Sequence, residues 1–110
     1  MSESDASSFI GPTEIRDAVI AGLFRDESVL RVILKTDRGP GLTLTFRDVT
    51  GIVEKRAESM KLAGLTKARV GARERFVFVN REQGDDARLE VTASRYCRER
   101  LVRYPTFCYA

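Results

Sequence analysis

The chain has 110 residues, 43% of them hydrophobic and 32% charged, with eight glycines and three prolines. That is enough for one globular domain burying roughly two-thirds of its unfolded surface, and too little for two cores. The composition excludes a collagenous chain, a wholly disordered one and a disulfide-dense miniprotein, and the apolar run from Ala18 to Phe24 is far short of a bilayer span.

Met1 to Ser8 (MSESDASS) is small, polar and acidic, and reads as a disordered leader over 1–8 without the features of a secretory signal. The globular domain is expected over 9–110. Pro12 suits the first position of a helix, and Ile15, Val19 and Leu23 recur at helical spacing. The run from Val19 to Phe24 fits a buried strand equally well, so a helix near 12–24 stays open.

Val29 to Leu34 (VLRVIL) is branched and of strand length. A turn follows at Asp37-Arg38-Gly39-Pro40-Gly41, and Leu42, Leu44 and Phe46 then alternate with Thr43, Thr45 and Arg47. This is a hairpin pattern. The alternation breaks at Asp48, where a bulge or bend is expected.

Val53 to Ala63 (VEKRAESMKLA) is built from helix formers and ends at Gly64, a plausible C-terminal cap. Val53, Ala57 and Met60 would form its apolar stripe. A second hairpin is expected from Arg75–Asn80 (RFVFVN), a turn at Glu82–Asp86, and Leu89, Val91 and Ala93 alternating with polar residues. Leu44, Phe46, Phe78, Leu89 and Val91 should form the main core. The fold expected is mainly β, a single antiparallel-sheet domain as a sandwich or partly closed barrel. The alternative is α+β, with a helix near 53–63 and a second near 12–24.

The chemistry available is narrow. The chain has no histidine and two cysteines, Cys97 and Cys108. That removes Ser-His-Asp and Cys-His catalysis, imidazole-dependent zinc sites and four-thiolate metal sites. No phosphate-binding loop, dinucleotide fingerprint or calcium loop occurs. The acidic neighbours Asp26-Glu27 and Asp85-Asp86 read as turn chemistry. Neither cysteine has a neighbour that marks it as a nucleophile, and reduced thiols in the cytoplasm are the expected state. No enzyme activity, cofactor or metal is expected.

Charge is uneven along the chain. Residues 1–30 carry six acids and two bases, and residues 31–75 eleven bases and five acids; fifteen of the nineteen bases are arginine. Arginine presents a planar fork of donors to carboxylate or phosphate. The first partner-binding candidates are therefore Arg47, Arg69, Arg73 and Arg75. The tail adds Tyr96, Arg98 and Tyr104, whose rings and guanidiniums could meet a nucleic acid. They could equally belong to a last strand packed on the core.

The stretches Arg16-Asp17-Ala18, Leu42-Thr43-Leu44-Thr45-Phe46-Arg47-Asp48-Val49, Gly64-Leu65 and Arg88-Leu89-Glu90-Val91 resemble a pattern in small bacterial β-rich domains. These include immunity proteins that neutralise toxins passed between competing cells. Arg16 stands where that class tends to have histidine. The resemblance implies a non-enzymatic antiparallel sheet, with 53–63 as strand instead of helix. The expected function is a protein-binding module, immunity- or antitoxin-like, with an acidic protein as partner. The alternative is a small basic RNA-binding domain. A second copy of the chain is left open as a partner, and a membrane is not expected.

Overall fold

The computed structural model describes residues 8–10, 15–36, 41–82, 84, 86–100 and 107–109. Ten strands run in chain order: β1 (Ser8–Ile10), β2 (Val19–Asp26), β3 (Val29–Lys35), β4 (Leu42–Arg47), β5 (Gly51–Lys55), β6 (Leu62–Val70), β7 (Arg73–Asn80), β8 (Arg88–Ala93), β9 (Arg95–Arg100) and β10 (Phe107–Tyr109). They form two antiparallel sheets ordered β1-β6-β7-β8-β5 and β10-β9-β4-β3-β2. Each holds four longer strands and one three-residue edge, and they pack as a sandwich that is not closed into a barrel. The expected leader lies outside the described residues up to position 7, and Ser8 already opens β1. The described residues contain no helix long and apolar enough to cross a membrane.

Both expected hairpins form. Leu30, Val32 and Leu34 pair with Phe46, Leu44 and Leu42, and Phe76 and Phe78 pair with Val91 and Leu89. All these side chains are buried, as the alternation requires. Phe46 lies at the centre, with ring centroids 4.9 Å from Phe76, 5.8 Å from Phe78 and 5.3 Å from Tyr96. Aromatic pairs at such separations add about 0.5–1.5 kcal/mol each beyond the area they bury. The turn expected at 37–41 is described only at its last residue.

The helix expected near 53–63 is absent. Gly51 to Lys55 pairs with Thr92 to Arg88 as an edge strand, and positive φ at Arg56 (47°) and Ser59 (76°) ends any helical path. Ala57 and Met60 are buried as plugs of this turn, whereas Val53 is exposed, so the supposed stripe does not share a face. The Glu54 carboxylate accepts from the Ala57 amide at 2.9 Å, an Asx-like use of an acid that competes with helix. The helix weighed near 12–24 is also replaced by strand. Ile15 to Asp17 is a turn, with the Ala18 amide donating to the Ile15 carbonyl at 3.1 Å, and Val19 to Phe24 belong to β2.

The chain changes sheets at three places, and these crossings position everything functional. After β4 it crosses at Asp48–Thr50, where Asp48 takes φ 58° and the Thr50 amide donates to the Thr92 carbonyl at 2.9 Å. This is the bend expected where the alternation breaks. It crosses back at Ser94 between β8 and β9, where the Ser94 amide donates to the Arg47 carbonyl at 3.2 Å. The remaining change of sheet lies between β1 and β2, whereas 56–61 joins β5 to β6 within one sheet.

Candidate functional site

The corner where β4 leaves one sheet and β9 enters it gathers several charged groups. Asp48 needs its left-handed backbone to turn the chain, and aspartate is one of the few residues that tolerate it. Its carboxylate accepts from Arg73 Nη2 at 2.9 Å and from Ser94 Oγ at 2.9 Å. Arg73 Nε also donates to the Asp48 carbonyl at 3.4 Å. One aspartate thus ties β7 and the β8–β9 crossing to the end of β4. The Ser94 hydroxyl and then the Arg73 guanidinium hold its carboxyl below the ordinary aspartate value, with the charges of Arg73 and Arg95 acting the same way against a small desolvation.

Beside it, Arg47 on β4 stands directly opposite Arg95 on β9. Their neighbours Phe46 and Tyr96 point into the core, so both arginines point outward, and both are exposed. Like charges directly opposite on a sheet repel. Neither guanidinium has an ion pair or hydrogen bond with the described residues; the nearby Asp48 carboxylate bonds Arg73 and Ser94 instead, although the charge of Arg95 acts on it. Arg31, also exposed, pairs with Thr45 and so sits diagonally from Arg47 on the same face. Beneath these arginines Thr43 and Thr45 are buried, each 5% exposed. The outer face of this sheet therefore carries three clustered bases on a closely packed floor.

Of the residues singled out from sequence, Arg47 and Arg73 meet at this corner through Asp48. Arg69 lies on β6 opposite Glu74, its Nε donating to the Gly71 carbonyl at 3.4 Å. Arg75 is exposed on β7 opposite Ala68 and Thr92, on the outer face of the other sheet. Tyr96 is no surface residue; it is 7% exposed and stacked on Phe46, because β9 is a central strand and alternation turns the ring inward. Arg98 is half-buried on β9 opposite Leu44, and Tyr104 lies outside the described residues. Sequence reasoning missed Arg31 and did not single out Arg95 among the arginines of the tail. Arg31 was legible as the polar position between Leu30 and Val32, but Arg95 gains its meaning only from its pairing with Arg47.

The cysteine expectation needs correction. Cys97 is disulfide-bonded, with no free cysteine among the described residues, and in the β9–β10 ladder it stands opposite Cys108. Adjacent antiparallel strands bring opposed residues within the Cα separation that a disulfide spans. The lack of a CxxC spacing concealed this, because a hairpin register and not a short loop makes the pair.

Other charges form ion pairs at the far end of the sandwich. Asp86 meets Lys55 at 2.6 Å and also Arg56, and Arg81 meets Asp17 at 2.5 Å. Among the described residues no three His, Cys, Asp or Glu side chains gather where a metal ion could be held. No protein-family model matches the chain, and no curated protein or solved structure matches it.

Proposed function

We propose that this chain is a non-enzymatic protein-binding module, of the immunity or antitoxin kind, that holds an acidic partner against the arginine corner formed by Arg47, Arg95 and Arg31. The observation that carries the reading is the cross-strand pair Arg47–Arg95, exposed and without an ion pair among the described residues. A fold that places two cations opposite each other and commits the nearest acid elsewhere has a standing demand for an anion. Carboxylates of a partner meet that demand bidentately, which favours arginine over lysine here.

The test is capture with the immobilised chain at low and high salt, with and without nuclease treatment. Partner proteins should be retained at low salt, released at high salt, and lost when Arg47 and Arg95 are both changed to glutamate. Retention by that variant refutes the reading, and loss on nuclease treatment supports RNA as the ligand instead. The cytoplasmic location expected from sequence stands against the disulfide at Cys97, since disulfides persist chiefly in oxidising compartments. Thiol titration of freshly isolated protein decides it: free thiols favour the cytoplasm, and their absence favours an oxidising compartment.

A further inference from the structure

We infer that the free edge of β2 pairs with the β2 edge of a second copy of this chain, joining two sheets across a two-fold axis at Phe24. β2 is an edge strand, the last in its sheet. The start of its open side is already covered: the Ile20 amide donates to the Met60 carbonyl at 3.0 Å, and the Ser59 amide to the Ile20 carbonyl at 2.7 Å. From Gly22 to Asp26 no such cover exists among the described residues, none of which makes a backbone bond to this stretch outside the β2–β3 ladder. The open window is five residues long, and its midpoint is Phe24.

The ladder settles which groups face outward. Asp26 and Val29 close a hairpin whose loop is Glu27-Ser28, and the closing pair of such a hairpin exchanges both of its bonds. Alternation then turns Phe24 and Gly22 toward β3, and the N–H and C=O of Arg25 and Leu23 toward the open side. The bulge between Ile20 and Gly22 resets the phase, so Ile20 also faces outward, in agreement with its bonds to Ser59 and Met60.

An antiparallel copy centred on Phe24 places Leu23 of each chain opposite Arg25 of the other, so every outward backbone group in the window is satisfied. The neighbouring registers are worse. Centring on Arg25 opposes two arginines, and centring on Leu23 drives the partner strand into the bulge and the covered segment. At the Phe24 axis the facing residues form a pair without backbone bonds, where side chains approach most closely. Phe24 is 61% exposed, the most exposed large hydrophobic side chain described. Its ring lies over Gly22, where a Cβ would come within 3.1 Å of it. The window holds no proline, and its charges, Arg25 and Asp26, have opposite sign and lie at its far end, leaving Gly22–Phe24 uncharged. The two-fold axis is perpendicular to the sheet, so both arginine corners come to lie on one continuous face. The pairing surface is small, and the association is correspondingly weak.

The experiment is sedimentation of the full chain over concentrations from about 1 µM to about 1 mM, with hydrogen exchange read at both ends. The mass should rise from 12.4 kDa toward twice that value, and exchange at the Leu23 and Arg25 amides should slow as it does. Arg25→Pro removes only an outward N–H, and Phe24→Lys alters an exposed side chain. Each should hold the protein monomeric at the top concentration with its circular dichroism unchanged. A wild-type chain that stays monomeric throughout overturns the inference. So does a dimer that survives Phe24→Lys, or one that forms without slowing exchange at Leu23 and Arg25; the exchange readout stands even if Arg25→Pro fails to fold.

Discussion

Replacing Arg47 by glutamate should raise the stability of the isolated domain. The wild-type pair Arg47–Arg95 is repulsive, and the substitution makes it attractive without touching the core. Cross-strand charge pairs contribute about 0.2–1 kcal/mol, and solvent exposure keeps the effect near the lower end, about 0.5 kcal/mol. For a chain of this length the unfolding entropy converts that to a rise in Tm of about 2 °C. Arg95→Glu should gain less, because Arg95 also stabilises the Asp48 carboxylate and Arg47 does not. The double variant restores a like-charged pair and should return close to the wild-type Tm. Thermal unfolding at low salt reads all four proteins, and at 1 M salt the differences should collapse as the screening length falls to about 3 Å. Single reversals that lower Tm, or a double variant equal to the sum of the singles, would refute the opposed geometry.

In the core, Phe46→Leu should cost about 2–3 kcal/mol in chemical denaturation and Phe78→Leu about 1–2 kcal/mol, since Phe46 has three ring neighbours and Phe78 one; equal losses would mean the rings are not centred on Phe46. The Asp48 carboxyl is held below its ordinary value, so its contribution is present above the unfolded-state pKa and is lost as pH falls through the folded one. The Tm gap between wild type and Asp48→Asn, which keeps the left-handed backbone accessible, should therefore be largest near neutrality and close in acid. A gap that widened in acid would contradict the bonds from Ser94 and Arg73. Gly71 opens the β6–β7 turn at φ 63°, with nothing within 4 Å of an added Cβ. Gly71→Ala should thus lose about 1 kcal/mol to backbone strain alone, and an unchanged denaturation midpoint would show the turn to be mobile.

Elements β3, β4, β7 and β8 were legible because only one side of each faces the apolar core, so composition alternates with the pleat: Leu42, Leu44 and Phe46 against Thr43, Thr45 and Arg47, even though both threonines are buried. β2 was ambiguous for a physical reason. Its bulge between Ile20 and Gly22 shifts the phase, so the strand shows no clean period of two. The 53–63 segment misled because Glu, Lys, Ala and Met favour helix locally, while pairing of Gly51–Lys55 with β8 and burial of Ala57 and Met60 in a turn are tertiary gains that outweigh propensity. The candidate site was half legible. Arginine enrichment pointed to Arg47 and Arg73, but the opposition of Arg47 to Arg95 and the register that sets Cys97 opposite Cys108 both arise from β9 pairings, which no local pattern in the sequence announces.

One aspartate decides how the corner divides between stability and binding. The crossing from β4 to β5 requires a residue at φ 58°, and Asp48 serves while accepting from Arg73 and Ser94, groups that belong to the other sheet and to the β8–β9 crossing. That carboxylate feels the charge of Arg95 but bonds to neither Arg47 nor Arg95. The inter-sheet tie thus leaves those two cations opposed, and an outside anion that bridges them would relieve their repulsion. Binding and stability are then linked through the same pair. An acidic partner should raise the Tm of the wild type by mass action and should add little to Arg47→Glu, in which an internal carboxylate already occupies the place the partner would take.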